Sequence, residues 1–352
     1  MRRRNFLGLV IGAVAFALSG FKTAKAKTAK AKTAADLKGP ITKIAFGSCC
    51  IQDGPQPIWD VIAKSAPDVF LFIGDNIYAD TEDMTLMANK YKMLGKKPGF
   101  ARFRNATPVL ATWDDHDYGI NDGGLEYPKK EESKKLMLDF FGEPAKSERR
   151  QRPGIYTSYY LGPKGKKLQI ILLDLRWFRT ALNYDKAIDG YKPDPSPKAT
   201  ILGEKQWEWL AAELKKPADL RLIASSTQFV SPDHKWEKWA NFPIDKKRMI
   251  DLLDENKITN AIFISGDMHY AELSAETSPK GFKIYDLTAS GMNLVENGSQ
   301  YPNRYRISLY DKTPHFGLIE IDWQKSSANL ALKVISDKGK TVISDKVSYP
   351  IA

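Results

Sequence analysis

Three short stretches of the chain gather side chains that hold metals and move protons: "GDNIY" at 74–78, "TWDDHDYGIND" at 112–122 and "GDMH" at 266–269. Asp75, Asp114, Asp115, Asp117 and Asp267 cannot all sit ionised near one another without compensation, because like charges a few ångströms apart raise pKa values or must be neutralised. Multivalent cations are the usual remedy. Cys49 and Tyr78 add a thiol and a phenol, His116 and His269 two imidazoles, and Asn121 an amide oxygen. Thiolate and phenolate favour a transition metal, whereas carboxylate and amide oxygens favour a hard ion such as Ca²⁺ or Mg²⁺. Two metals roughly 3.5–4 Å apart, bridged by one carboxylate, form a clamp used for phosphoester hydrolysis.

These residues lie far apart in sequence, so larger elements must bring them together. Apolar runs at 41–46, 69–73, 107–112, 168–173, 220–224 and 261–264 read as strands, with more around 282–287, 317–321 and 330–335. Segments 57–65, 131–141, 203–216 and 245–256 have helical spacing. In the third, Trp207, Leu210, Ala211 and Leu214 share one face, as in a helix lying on a sheet. After the first strand come Ser48, Cys49 and Cys50; after the second, Asp75, Asn76 and Tyr78; after the third, Asp114 to Asp117. The fourth ends at Asp174 and Arg176, the fifth at Ser225 to Gln228, and the sixth at Asp267 and His269. Ligands of an α/β sheet bind outside the carboxyl ends of its strands. Six strands delivering such groups to one edge is the signature of a site. The Pro-rich stretch 191–200 reads as a surface loop, and nothing within 40–350 reads as a linker between two domains.

The chain resembles the PhoD-like alkaline phosphatase family, relatives of the purple acid phosphatases among the metallophosphoesterases. The resemblance rests on "FGSCC", "GDNIY", "TWDDHDYGIND", "LLDLRWFR", "ILGEKQWEWL", "SSTQF" and "ISGDMH" in that order, with a weaker echo in "FGLIEIDW". It implies an α/β metallophosphoesterase-type fold, an αββα sandwich of two facing mixed sheets flanked by helices, over 39–352. It also implies Fe³⁺ with Ca²⁺ as cofactors. Cys49 would be the thiolate ligand of iron, Asp75 a bridge between metals, Tyr78 a phenolate ligand, Asn121 the amide ligand, and Asp267 and His269 the closing pair. Arg176, in the family's D-x-R element, would hold the phosphate bidentately. His116 and Asp115 complete the catalytic candidates. The paired acids divide the work, one in the metal shell and one capping backbone amides; either order fits the sequence, and Asp115 is the choice for the metal shell. Gln228 is expected at the edge of the substrate site, Cys50 as a small buried residue, and His234 and His315 as structural or rim residues. Longer members carry an N-terminal β-domain before the first cysteine motif, which this chain does not show ahead of Ile41.

The implied activity is that of an exported phosphoester hydrolase: a calcium-dependent phosphomonoesterase with an alkaline optimum, acting through a metal-bound oxygen nucleophile. One alternative is a phosphodiesterase or phospholipase D-like activity on phospholipid head groups or teichoic-acid-like polymers. Another, from a different class, is a non-catalytic envelope protein whose metals stabilise the fold.

Bulk properties agree with an exported globular protein. With 352 residues, 43% hydrophobic and 27% charged, there is ample material for a large core. Residues 1–26 read as a signal of twin-arginine type: Arg3-Arg4-Asn5-Phe6-Leu7 leads an apolar run too short for a membrane span. The export machinery that reads such signals is therefore an expected partner, the location periplasmic or extracellular, and no transmembrane span is expected in the mature protein. Residues 27–38 form a low-complexity Lys/Thr/Ala linker. Residues 1–34 hold eight basic side chains and no acids, so of the net +11 only +3 belongs to the rest. That balance gives no support for a nucleic-acid partner. The only cysteines, Cys49 and Cys50, are adjacent and poorly placed to pair with each other. Without a disulfide framework the domain folds on its core, its metals, or both.

Overall fold

The strand Val69–Ile73 is buried at every position, because it is covered on both faces. Val69, Leu71 and Ile73 point into a core between two sheets, while Phe70 and Phe72 pack under helices against Trp59, Phe100 and Phe103. The Trp59 and Phe70 rings meet edge-on at 5.2 Å. The second sheet repeats the arrangement. Ile170, Leu172, Leu222 and Ile264 face the first sheet, and Ile171, Ile223 and Phe263 pack against Trp207, Leu210, Met249 and Leu253. The layers therefore run helix, sheet, sheet, helix, as expected for the αββα class. The computed structural model describes residues 32–351; the expected signal at 1–26 and residues 27–31 of the expected linker lie outside them.

The first sheet has six strands in the order Thr341–Pro350, Ser327–Ser336, His315–Trp323, Lys43–Gly47, Val69–Ile73, Val109–Thr112. The last three are mutually parallel and the others join antiparallel. The second has seven, in the order Arg306–Tyr310, Ala271–Thr277, Lys283–Ala289, Ala261–Ser265, Leu220–Ala224, Leu168–Leu172, Thr157–Leu161. Its middle four are parallel. Register sets the height at which each strand ends. Phe72 pairs with Gly47 and Ile73 with Thr112, while Leu172, Ala224 and Ile264 are level in the other sheet. The chain thus leaves all six central strands at one height, within a residue or two of every motif.

Four helices lie near their expected positions: Ile58–Lys64, Lys130–Phe140, Gly203–Leu214 and Pro243–Glu255. Two more, Met84–Lys96 and Pro98–Ala106, and the strands Thr157–Leu161, Ala271–Thr277, Arg306–Tyr310 and Thr341–Pro350 were not anticipated from the sequence. The stretch expected as a loop at 191–200 begins inside a hairpin of Asn183–Asp185 with Gly190–Lys192. The expected linker is also corrected at its end. Ala34–Asp36 forms a 3₁₀ turn, and Ala34 and Leu37 pack against the inter-sheet core.

Candidate metal centre

Two turns carry the first ligands, and they approach so closely that one position must be glycine. Gly74 has φ +112, and a Cβ there would lie 2.6 Å from that of Asp114. Beyond it, Asp75 adopts φ 47; Cys49, Asp267 and His269 have φ 57, 70 and 57. Left-handed backbone at four non-glycine residues, all just past the carboxyl ends of strands of the two sheets, is strain of the kind that folds retain at functional sites.

The side chains converge. Donor atoms of Cys49, Asp75 and His269 lie within 4.8 Å of one another. Cys49 Sγ is 3.3 Å from Asp75 Oδ2 and 3.2 Å from Ser290 Oγ. The Tyr78 hydroxyl is 3.3 Å from Asp75 Oδ2 and 3.2 Å from His269 Nε2. Three further groups satisfy the same limit: Asp75, Asp115 and His116; Asp114, Asp115 and Asp267; and Asp115, Asp122 and Glu237. Asp75 belongs to the first two, as a bridging carboxylate must. Asn121 is exposed and lines, with His116, Asp267, His269, Trp236 and Tyr301, a cavity of about 210 Å³ over these groups.

Burial and like charge shape the protonation of this cluster. Burial pushes Asp75 and Asp267 well above the usual carboxylate range, reinforced by Cys49 and Asp115 at the first and by Asp114 and Asp115 at the second. Burial likewise pushes Cys49 up to about 11 and Tyr78 well above an ordinary phenol. Asp75 Oδ1 and Asp114 Oδ2 are buried with no hydrogen-bond partner. A set of buried acids, a thiol and a phenol that Arg176 and His116 neutralise only in part fits multivalent cations, which would displace those protons. Burial disfavours charge on His116, yet Asp80, Asp115 and Asp75 together hold it up to about 10. Its Nδ1 is 2.8 Å from Asp80 and its ring lies 4.3 Å from that of Tyr78.

A supporting layer holds the ligands. Glu296 Oε1 is 3.1 Å from His269 Nδ1, and the His269 backbone N–H donates to Ser290 Oγ at 2.8 Å. Carboxylate backing of this kind fixes a ligating ring. Asp117 stitches the two turns together. One of its oxygens accepts the Asp114 N–H at 2.7 Å, and the other accepts the backbone and side-chain N–H groups of Asn76.

Three expectations need correction. Arg176 does not face a substrate. It is fully buried, its Nε–H donates to Asp114 Oδ1 at 2.6 Å, its Nη2 also pairs with Asp114, and its Nη1 lies 2.6 Å from Glu237 Oε2. Both arms of the fork are taken by carboxylates. The division between the paired acids also differs. Asp115 caps amides, accepting from His116 N at 2.9 Å and Asp122 N at 2.7 Å, while still offering a donor to three of the clusters. Asp114 is held by Arg176 and by the Ser226 hydroxyl at 2.7 Å. Burial raises Asp114 to about 7 against the pull of Arg176, whereas at Asp115 burial is outweighed by Arg176 and His116, which hold it down to about 2. Gln228, finally, lies below the site. It is buried, and its amide donates to Thr288 Oγ1 at 2.8 Å.

Cys50, His234 and His315 are all buried, and Cys50 joins the apolar core under the first helices. Glu237, Glu296, Asp80 and Ser290 were missed. Asp80 sits two residues past Tyr78 and was open to notice. Glu237 and Glu296 lie on loops where no spacing marks them.

Residues 87–296 match the family model described as PhoD-like phosphatase. The chain is 23% identical over 317 residues to alkaline phosphatase D of Bacillus subtilis (strain 168), with 74% of this chain and 52% of that protein covered; it spans about half the length of that curated relative. A solved structure described as that of PhoD superposes with a TM-score of 0.67 at 17% identity, covering 87% of this chain and 72% of the other.

Proposed function

This chain belongs to the PhoD-like phosphatase family, and on that premise we propose that it hydrolyses phosphoesters, monoesters foremost, at the clustered strand ends. The observation that carries the reading is the convergence of Cys49, Asp75 and His269 donors within 4.8 Å, with the Tyr78 hydroxyl against two of them. Cys49, Asp75, Tyr78 and His269 would hold one metal, Fe³⁺ by the chemistry of thiolate and phenolate. Asp75, Asp115, Asp267 and the Asn121 amide would hold harder ions, Ca²⁺ among them. Bound metals would supply Lewis-acid neutralisation of the phosphate and a water acidic enough to attack it.

The chain's own groups do the rest. Arg176 is a positioning residue: it holds Asp114 by Nε and Nη2 and is itself anchored by Glu237. His116 lines the cavity with Nδ1 committed to Asp80. The proton on its other nitrogen is the one it can give to a leaving oxygen. Phe72 and Ile73, buried in the apolar clusters on either face of their strand, close the site from beneath Asp75.

Parallel assays on aryl phosphate monoesters and diesters, with calcium added or chelated, test the reading. Turnover of the monoester that chelation abolishes supports it; faster diester turnover moves the substrate to diesters; silence on both from metal-loaded protein removes the activity.

We also propose export by twin-arginine machinery to the periplasm or beyond, supported by Arg3-Arg4 ahead of the apolar run. Replacing both with lysine and tracking the protein through cell fractions tests this: retention in the cytoplasm supports it, and unchanged export contradicts it. Among the described residues no helix is long and apolar enough to cross a membrane.

A further inference from the structure

A wide cleft lies at the opposite end of the second sheet from the metal cavity. About 1050 Å³ in volume, it is bounded by Lys167, Asp219 and Asn260, each just ahead of a parallel strand: Leu168–Leu172, Leu220–Ala224 and Ala261–Ser265. Five residues at ~3.3 Å each put roughly 17 Å of strand between it and the catalytic edge, and the two cavities share no lining residue.

Its charge is one-sided. Lys164, Lys167, Lys215, Lys216, Arg221 and Lys257 line it against a single acid, Asp219. The chain beyond residue 34 carries only +3 in all, so the excess is local. Some of these groups are spoken for. Arg221 donates to Gln169 at 3.0 Å, Asn260 at 2.9 Å and the Lys216 carbonyl at 2.7 Å, and Lys216 pairs with Glu213 at 2.6 Å. Asp219 is committed to the Lys167 backbone N–H at 2.6 Å. Lys164, Lys215 and Lys257 are exposed and have no ion-pair partner among the described residues. Like charges gathered around a concavity with low-dielectric walls focus their field into it, and an entering anion relieves their repulsion.

We propose that this cleft docks a linear polyanion, a polymer of closely spaced phosphate or carboxylate groups, and tethers the protein while leaving the metal cavity free. The lining contains no aromatic side chain, so it lacks the stacking platform that single-stranded nucleic acid uses. None of the exposed large apolar side chains lies on it, so nothing there would enter a lipid layer, and its cations face a cleft rather than a plane.

The test is fluorescence anisotropy of labelled heparin oligosaccharide, a polyanion without phosphoesters, on full-length metal-loaded protein and on the Lys164→Glu, Lys215→Glu, Lys257→Glu triple variant. Affinity falls at least tenfold in the variant. The log–log salt dependence loses about two to three units of slope, at ~0.7–0.9 per contact. Aryl phosphate turnover stays within twofold, and the Lys→Gln triple gives a smaller loss in the same direction. Unchanged heparin affinity overturns the proposal. So does displacement of heparin by inorganic phosphate at concentrations that inhibit hydrolysis, which would locate the polymer at the metals. Loss of binding to phosphatidylglycerol vesicles with heparin affinity intact overturns it in favour of a membrane. The heparin measurement does not depend on turnover, so failure of the catalytic reading leaves it standing.

Discussion

The Tyr78 hydroxyl and Nε2 of His269 lie 3.2 Å apart across 191 residues of sequence. Asp75 Oδ2 is 3.3 Å from the same hydroxyl and 3.3 Å from Cys49 Sγ. Three strand ends therefore deliver a phenol, an imidazole, a carboxylate and a thiol to one point. Three of the four residues (Asp75, Cys49 and His269) do so from left-handed backbone. Packing alone gives no reason to bury these groups together, because each is costly to bury without a partner. A shared cation gives one.

Chelation should therefore lower the melting temperature as well as abolish activity. Ligand held at 100 to 1,000 times its dissociation constant stabilises by about 3–4 kcal/mol, a fall on the order of 5–10 °C for a chain of this size. Differential scanning calorimetry before and after chelation reads it. An unchanged melting temperature would mean that these side chains do not hold metal.

Arg176→Ala should unfold the protein more readily rather than merely weaken substrate binding. Removing the guanidinium leaves Asp114 a buried carboxylate without a cation and Glu237 with only Arg179 at 3.4 Å, and breaking a buried pair costs about 3–5 kcal/mol. Urea midpoints measure this. Native stability with only a raised KM would return Arg176 to the role of phosphate ligand.

Asp117→Asn should lower metal affinity by about 10–100-fold, the usual consequence of losing a group that orients ligands. The amide puts an NH₂ at one of the two oxygens by which Asp117 accepts from Asp114 and from Asn76, so the anchor no longer spans both ligand turns. Metal titration of the variant decides it, and wild-type affinity would show that the turns hold themselves.

Asp286 gives a pH-dependent prediction away from the metals. Burial raises it to about 6 despite hydrogen bonds from Ser265 at 2.7 Å, Phe229 N at 2.7 Å and Val230 N at 3.1 Å. Its folded pKa exceeds the unfolded one, so its contribution to stability is full below about pH 4 and is lost as pH rises through 6. Two units correspond to about 3 kcal/mol. Asp286→Asn should match the wild type near pH 4 and exceed it by about that amount at pH 7.5, in urea unfolding at both. A difference that does not change with pH contradicts this.

The parallel strands were legible because burial on both faces makes them continuous apolar runs, as in Val69–Ile73. Thr341–Pro350 was not, since its antiparallel edge position alternates exposed and covered residues. Among the helices, Met84–Lys96 buries only Met87, Tyr91 and Leu94 among lysines, which blurs its period. The ligand candidates could be read because strand, glycine and acid succeed one another in the chain. The environment of Arg176 could not, because Glu237 reaches it from a distant loop, at a spacing that carries no pattern.

On the proposed reading, Tyr78 and Asp75, three residues apart, serve one metal. A phenol of pKa ~10 binds as phenolate only where a strongly charged cation displaces its proton, which favours Fe³⁺ and a visible phenolate-to-iron band. The direct measurement is metal analysis beside a visible absorption spectrum on purified wild type and Tyr78→Phe. The proposed iron site predicts stoichiometric iron with a visible band in the wild type and loss or a large shift of that band in Tyr78→Phe. A colourless wild type holding stoichiometric iron, or a variant with an unchanged spectrum, would contradict it and return Tyr78 to the core.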